Sequence, residues 1–199
     1  MHPYEELPMN IAGYFLAAWL IGFHLWMIIK KKSAQDFLVK FPRNYLWGAI
    51  TMGIGIVWFW LLILPVEKTN PLGYLTMDLG EFNSAKNILL VAVPVAGYLM
   101  IAEVKEFLAV RGAGLLALMA SAPLLYSCYL DFPTGRVLMP IYAYVLLTAG
   151  LFMIGMPYLL RDAINWAVKD DKRWLAGAFA GLLYGVAVLI CSIMFWSGY

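Results

Sequence analysis

Few residues in this chain have the type and setting to do chemistry, and His24 stands apart from the rest. It lies well inside an apolar run, six positions before Lys30. An ionisable group at that depth is costly, so it is a functional candidate by default. No second histidine lies in an apolar run, so two imidazoles of one chain cannot clamp a haem. The expectation is a hydrogen-bonded structural imidazole.

Carboxylates gather in two places. The stretch "MDLGEFNSAKN" carries Asp78, Glu81 and Asn83, while "RD" and "KDDKR" carry Asp162, Asp170 and Asp171. Paired carboxylates can hold Mg²⁺ for phosphate chemistry on a lipid head group. The chain lacks an aspartate-rich D-G-x-x-A-R pattern, a nucleophile elbow and an H-E-x-x-H helix. These acids therefore read as solvated loop charge, with no metal and no cofactor implied. Cys128 and Cys191 are too few and too far apart for a zinc or haem-attachment motif, and read as small apolar residues.

A third group interrupts a long apolar run. "AEVKEFLAVRGAG" places Glu103, Lys105, Glu106 and Arg111 where a turn between two spans is needed. The reading is a helix ending near Phe107, a second starting at Arg111, and Arg111 paired with Glu103 or Glu106. Gly177, Gly181 and Gly185 recur every fourth residue. They give one helix face two overlapping small-xxx-small motifs, where another backbone of the same chain, or a second copy, can approach closely.

The elements that must position these residues follow from composition. With 63% hydrophobic and 13% charged residues and a mean hydropathy of +0.78, the chain reads as an integral membrane protein with no sizeable water-soluble domain and no tie to nucleic acid. Apolar runs near 10–29, 45–65, 87–107, 111–130, 137–160 and 174–197 each approach the ~20 residues a crossing helix needs. The start lacks a basic region and a cleavage site, so the first span is expected to be retained. The predicted fold is all-α: one domain of six transmembrane helices in three hairpins. Pro94 and Pro123 should kink the third and fourth spans.

Segment 32–49, "KSAQDFLVKFPRNYLWGA", lies without gaps over 161–178, "RDAINWAVKDDKRWLAGA", with matches that include Lys40/Lys169 and Gly48/Gly177. This predicts an internal repeat relating the first and third hairpins. Each copy should carry a short amphipathic helix on the membrane surface, capped by Ser33 or Asp162.

Of the fourteen basic residues, all but Lys68, Lys86 and Arg136 fall in loops one, three and five. The positive-inside rule then puts those loops in the cytoplasm and both termini outside, as in a bacterial inner membrane protein in contact with membrane lipid. The leading functional reading is a non-catalytic subunit or scaffold of a membrane assembly. A transporter or channel for a small apolar or weakly charged solute is the alternative, and a lipid-modifying enzyme is the third. A reporter fused after Tyr199 should appear on the outer side; a cytoplasmic signal would overturn this topology.

Overall fold

The computed structural model describes residues 2–4, 6–65, 73–129 and 132–197. Glu5, Glu67, Lys68, Asp131 and Tyr199 lie outside them. The described residues contain helices and no strand. Eight α-helices follow in order: α1 Met9–Ile29, α2 Lys31–Lys40, α3 Tyr45–Leu62, α4 Lys86–Glu103, α5 Leu108–Ser127, α6 Leu138–Gly155, α7 Tyr158–Val168 and α8 Asp171–Met194. Six segments are long and apolar enough to cross a membrane: α1, α3, α5, α6, α8, and α4 with the 3₁₀ turn that leads into it from Gly80.

Local chemistry sets the boundaries. Asn44 caps α3 by accepting a hydrogen bond from the Trp47 backbone N–H at 3.2 Å. Asp170 caps α8 in the same way through Lys172 N–H at 2.9 Å, so that helix opens three residues before the expected 174. Five spans stop earlier than the apolar runs suggest, α4 and α6 by the most. α4 ends at Glu103 rather than 107, because the chain leaves helical geometry at Val104. α6 ends at Gly155 rather than 160, and Pro157 then starts α7 in a new direction, its fixed φ suiting a helix start.

The same effect corrects the expected caps. α7 begins at Tyr158 and α2 at Lys31, just past a break at Lys30, so Asp162 and Ser33 sit inside their helices and cap neither. The links from α1 to α3 and from α6 to α8 nevertheless each carry a short helix, and α2 touches α7.

Packing is organised around two seams. α1 lies along α8, and α5 lies between α3 and α6, while α4 packs on α3. Thus the extensive contacts join the first span to the last and α5 to both α3 and α6, and do not run along the three expected hairpins. In lipid no hydrophobic force drives helices together, so close packing depends on small residues. A Cβ on Gly185 would come within 2.9 Å of Leu20 Cβ, and one on Gly13 within 2.8 Å of the Trp196 ring. On α5, Gly112 approaches the backbone of Met52 and Gly114 that of Gly150. Near the Met9 end, Met9, Ala12, Leu16, Leu20, Met139 and Val188 form the buried core.

Of the three glycines on α8, Gly181 and Gly185 face α1, whereas Gly177 faces open space. A methyl group at Gly181 would run into the His24 ring. Gly181→Ala should therefore cost about 1–3 kcal/mol through overpacking, while Gly177→Ala should stay within about 0.5 kcal/mol of the parent. Thermal unfolding in detergent distinguishes them, and equal midpoints would contradict this account of the seam.

Candidate cleft between the first, fifth and last spans

Where the core ends, α1 and α8 part from α6 and leave a cavity of about 430 Å³. Its walls are Trp19, Leu20, Phe23 and His24 from α1, Ile141, Tyr142 and Val145 from α6, and Ala180, Gly181 and Tyr184 from α8. Helical periodicity explains the α1 set: positions 20 and 24 are one turn apart, as are 19 and 23, and the two pairs share one side of the helix. The Trp19 and Phe23 rings stack at 5.7 Å and 12° from parallel, forming a flat aromatic wall.

His24 is half-buried at this wall. Its Nδ1 lies 2.7 Å from the carbonyl oxygen of Leu20. A carbonyl only accepts, so Nδ1 carries a proton, and Nε2 has no hydrogen-bond partner within the protein. The missing side chain of Gly181 makes the notch that admits the ring tip. Of the other polar groups, the Tyr184 hydroxyl donates to Leu138 O at 2.6 Å, and the Tyr142 oxygen accepts from the Trp19 indole N–H. The cleft lining contains no carboxylate, lysine or arginine.

Asp162, Asp170 and Asp171 do not converge. Asp162 pairs with its neighbour Arg161 at 2.8 Å, Asp170 caps α8, and Asp171 pairs with Lys31 at the start of α2. Among the described residues no three of His, Cys, Asp and Glu come together as a metal site. Cys128, whose thiol lies against the Leu124 and Leu125 carbonyl oxygens, and Cys191 both sit at the Met9-end core.

The turn between α4 and α5 corrects the expected ion pair. Glu103 and Glu106 are exposed, and Arg111 pairs with neither; its Nε is buried without a hydrogen-bond partner. The reason is geometric. Phe107 adopts a left-handed conformation, φ 54°, that starts α5 at Leu108 and puts Arg111 inside the first turn, on a helix axis different from that of Glu103.

On the other side, Asp78 is a turn-former. It accepts hydrogen bonds from the Asn83 amide and from Gly80 N–H at 2.9 Å, which shapes the 3₁₀ turn Gly80–Ala85, while Glu81 stays exposed. Nearby, the N-terminal segment is tied down: His2 Nε2 donates to Leu75 O at 2.8 Å, and the Trp58 indole donates to the Tyr4 hydroxyl. Burial pushes the Tyr4 phenol up from its ordinary value.

The sequence reading missed Trp19, Phe23, Tyr142 and Tyr184 as partners of His24. For Trp19 and Phe23 the signal was available, as aromatic residues on the helix side that carries the one intramembrane histidine. For the tyrosines it was not, since nothing in the sequence pairs α6 and α8 with α1.

Six helices long and apolar enough to cross a membrane, with no strand among the described residues, mark the class as a multi-pass helical membrane protein. No protein-family model matches the chain, and no curated protein or solved structure matches it either. Its chemistry has to be read from its own residues.

Asp78 provides a pH test. Its hydrogen bonds from Asn83 and Gly80, with Lys86 nearby, hold its carboxyl below the ordinary 3.8. A depressed folded value means the turn's extra stability is present above the unfolded value and lost as pH falls through the folded one. Exchange of the Gly80 amide, corrected for intrinsic rate, should accelerate only below about pH 4. In Asp78→Ala it should be fast throughout, and unchanged protection in that variant would contradict the assignment.

Proposed function

We propose that this is a non-catalytic membrane protein that holds a small, apolar, membrane-dissolved molecule in the cleft between α1, α6 and α8. The observation that carries the reading is the cleft itself. About 430 Å³ falls within the ~300–1,000 Å³ of small-molecule sites, and the lining is apolar and aromatic with a few oriented polar groups. An ion or a strongly charged solute would find no counter-charge there. The lipid-modifying alternative loses its footing, because Asp162, Asp170 and Asp171 each serve a separate local contact.

The topology belongs to the same proposal. Both termini lie outside, in a bacterial inner membrane, with the basic links and the short helices α2 and α7 at the cytoplasmic surface in contact with lipid. A duplication relating 32–49 to 161–178 is supported by the short helix in each link. It meets a difference at Gly48 and Gly177, since the first packs against Leu108 and Ala109 while the second faces open space.

A second reading, a subunit of a membrane assembly, is favoured by α4. That helix has α3 as its packing partner among the spans and leaves Ile88, Val91, Val95, Tyr98 and Leu99 exposed. This apolar stripe can meet lipid, another subunit or a second copy of the chain.

Photolabelling with a lipid-soluble aromatic diazirine tests the leading reading. Labelling at 180–184 should saturate as probe is added, whereas labelling of 88–95 on α4 should rise in proportion to probe. Filling the cleft with Ala180→Phe should abolish the saturable component. A proportional rise at both places would mean that the cleft is ordinary lipid-facing surface.

A further inference from the structure

We infer that the cleft selects a molecule that carries a hydroxyl donor at the end of a flat or slender apolar body, and that Nε2 of His24 accepts its hydrogen bond. The inference rests on the reading of the cleft as a binding site and adds the chemistry of its occupant.

The polar groups of the cleft decide the point. Nδ1 of His24 is committed to Leu20 O at 2.7 Å, so in the uncharged imidazole the one proton sits on Nδ1 and Nε2 is an acceptor. The Tyr184 hydroxyl is committed to Leu138 O. Nε2 is therefore an acceptor the protein itself leaves unused, at the wall of an apolar cavity. An occupant without a donor would bury that lone pair unpaired, and one with a hydroxyl would satisfy it. A cationic donor is disfavoured because no carboxylate lines the cleft to balance its charge.

The walls restrict the body of the ligand. The Trp19 and Phe23 rings stack on each other at 12°, and the Tyr142 and Tyr184 rings lie against each other at 6.0 Å and 35°, so ring pairs build much of the wall. Such surfaces favour an aromatic or slender ligand over a branched one. A phenol or hydroquinone with an apolar tail meets both requirements.

The test compares 4-hexylphenol with 4-hexylanisole, which differ in the hydroxyl donor, using the full chain in lipid nanodiscs with empty nanodiscs as the partition reference. The phenol should bind saturably and about fivefold to tenfold more tightly, the worth of one hydrogen bond. In His24→Phe, which keeps an aromatic ring against Gly181, the two should bind alike. Because the chain has two histidines, His2 and His24, ring ¹⁵N spectra resolve the acceptor directly. The His24 Nε2 resonance should move upfield with the phenol and stay put with the anisole. Equal saturable binding of both probes to the wild type, or a phenol preference that survives in His24→Phe, would overturn the inference and leave the cleft reading intact. Saturable binding of neither probe would overturn both.

Discussion

The structure depends on how closely α1 can approach α8. These are the first and last spans, separated by most of the chain, and in a bilayer their meeting gains nothing from excluding water. What holds them is contact made possible by absent side chains: Gly13 under Trp196, Gly185 under Leu20 and Gly181 under His24. Polar ties secure the two ends. The Trp174 indole donates to Met27 O at 3.1 Å, and the Tyr14 hydroxyl donates to Ser192 O at 3.5 Å. A second seam, where Gly112 and Gly114 let α5 sit tightly between α3 and α6, builds the remainder of the bundle.

The cleft follows from having two seams instead of one. The α1–α8 pair meets the α3–α5–α6 group through the core at the Met9 end, where Met139 and Val188 are fully buried. Beside Leu20 the two groups part, and the gap is lined by Phe23 and His24 of α1 and by Ile141 and Val145 of α6. The residue at the seam and the residue at the gap are then the same one. His24 rests on Gly181 and presents an unused nitrogen at the cavity wall, so the notch that packs the helices also sets the polarity of the site.

Much of this could be read from the sequence, for reasons that apply unevenly. The six spans were legible because lipid demands long apolar helices, and the close-packing role of Gly181 and Gly185 because small residues at a spacing of four have few other uses. Helix ends were less legible. Apolar runs continue through Val104 and Pro157, where backbone geometry and not hydrophobicity stops the helix. Which helices touch was least legible, since all the spans are apolar on most faces and no periodic stripe marks a partner. That is why His24 could be singled out as the lone intramembrane ionisable group while its setting, between Trp19, Phe23 and two tyrosines of distant helices, could not.

The adjacency of the first and last spans is most directly tested by cross-linking. In a Cys128→Ala, Cys191→Ala background, Leu20→Cys and Gly185→Cys would place sulfurs on carbons close enough for a disulfide with slight relaxation from 2.9 Å. Oxidation in native membranes should yield a monomeric species whose mass falls by two hydrogens and whose α1 and α8 fragments stay joined after proteolysis until reduced. The account predicts near-complete formation of this bond. Two free thiols after oxidation, with the fragments separating, would show that α1 and α8 are not neighbours and would remove the basis for both the seam and the cleft.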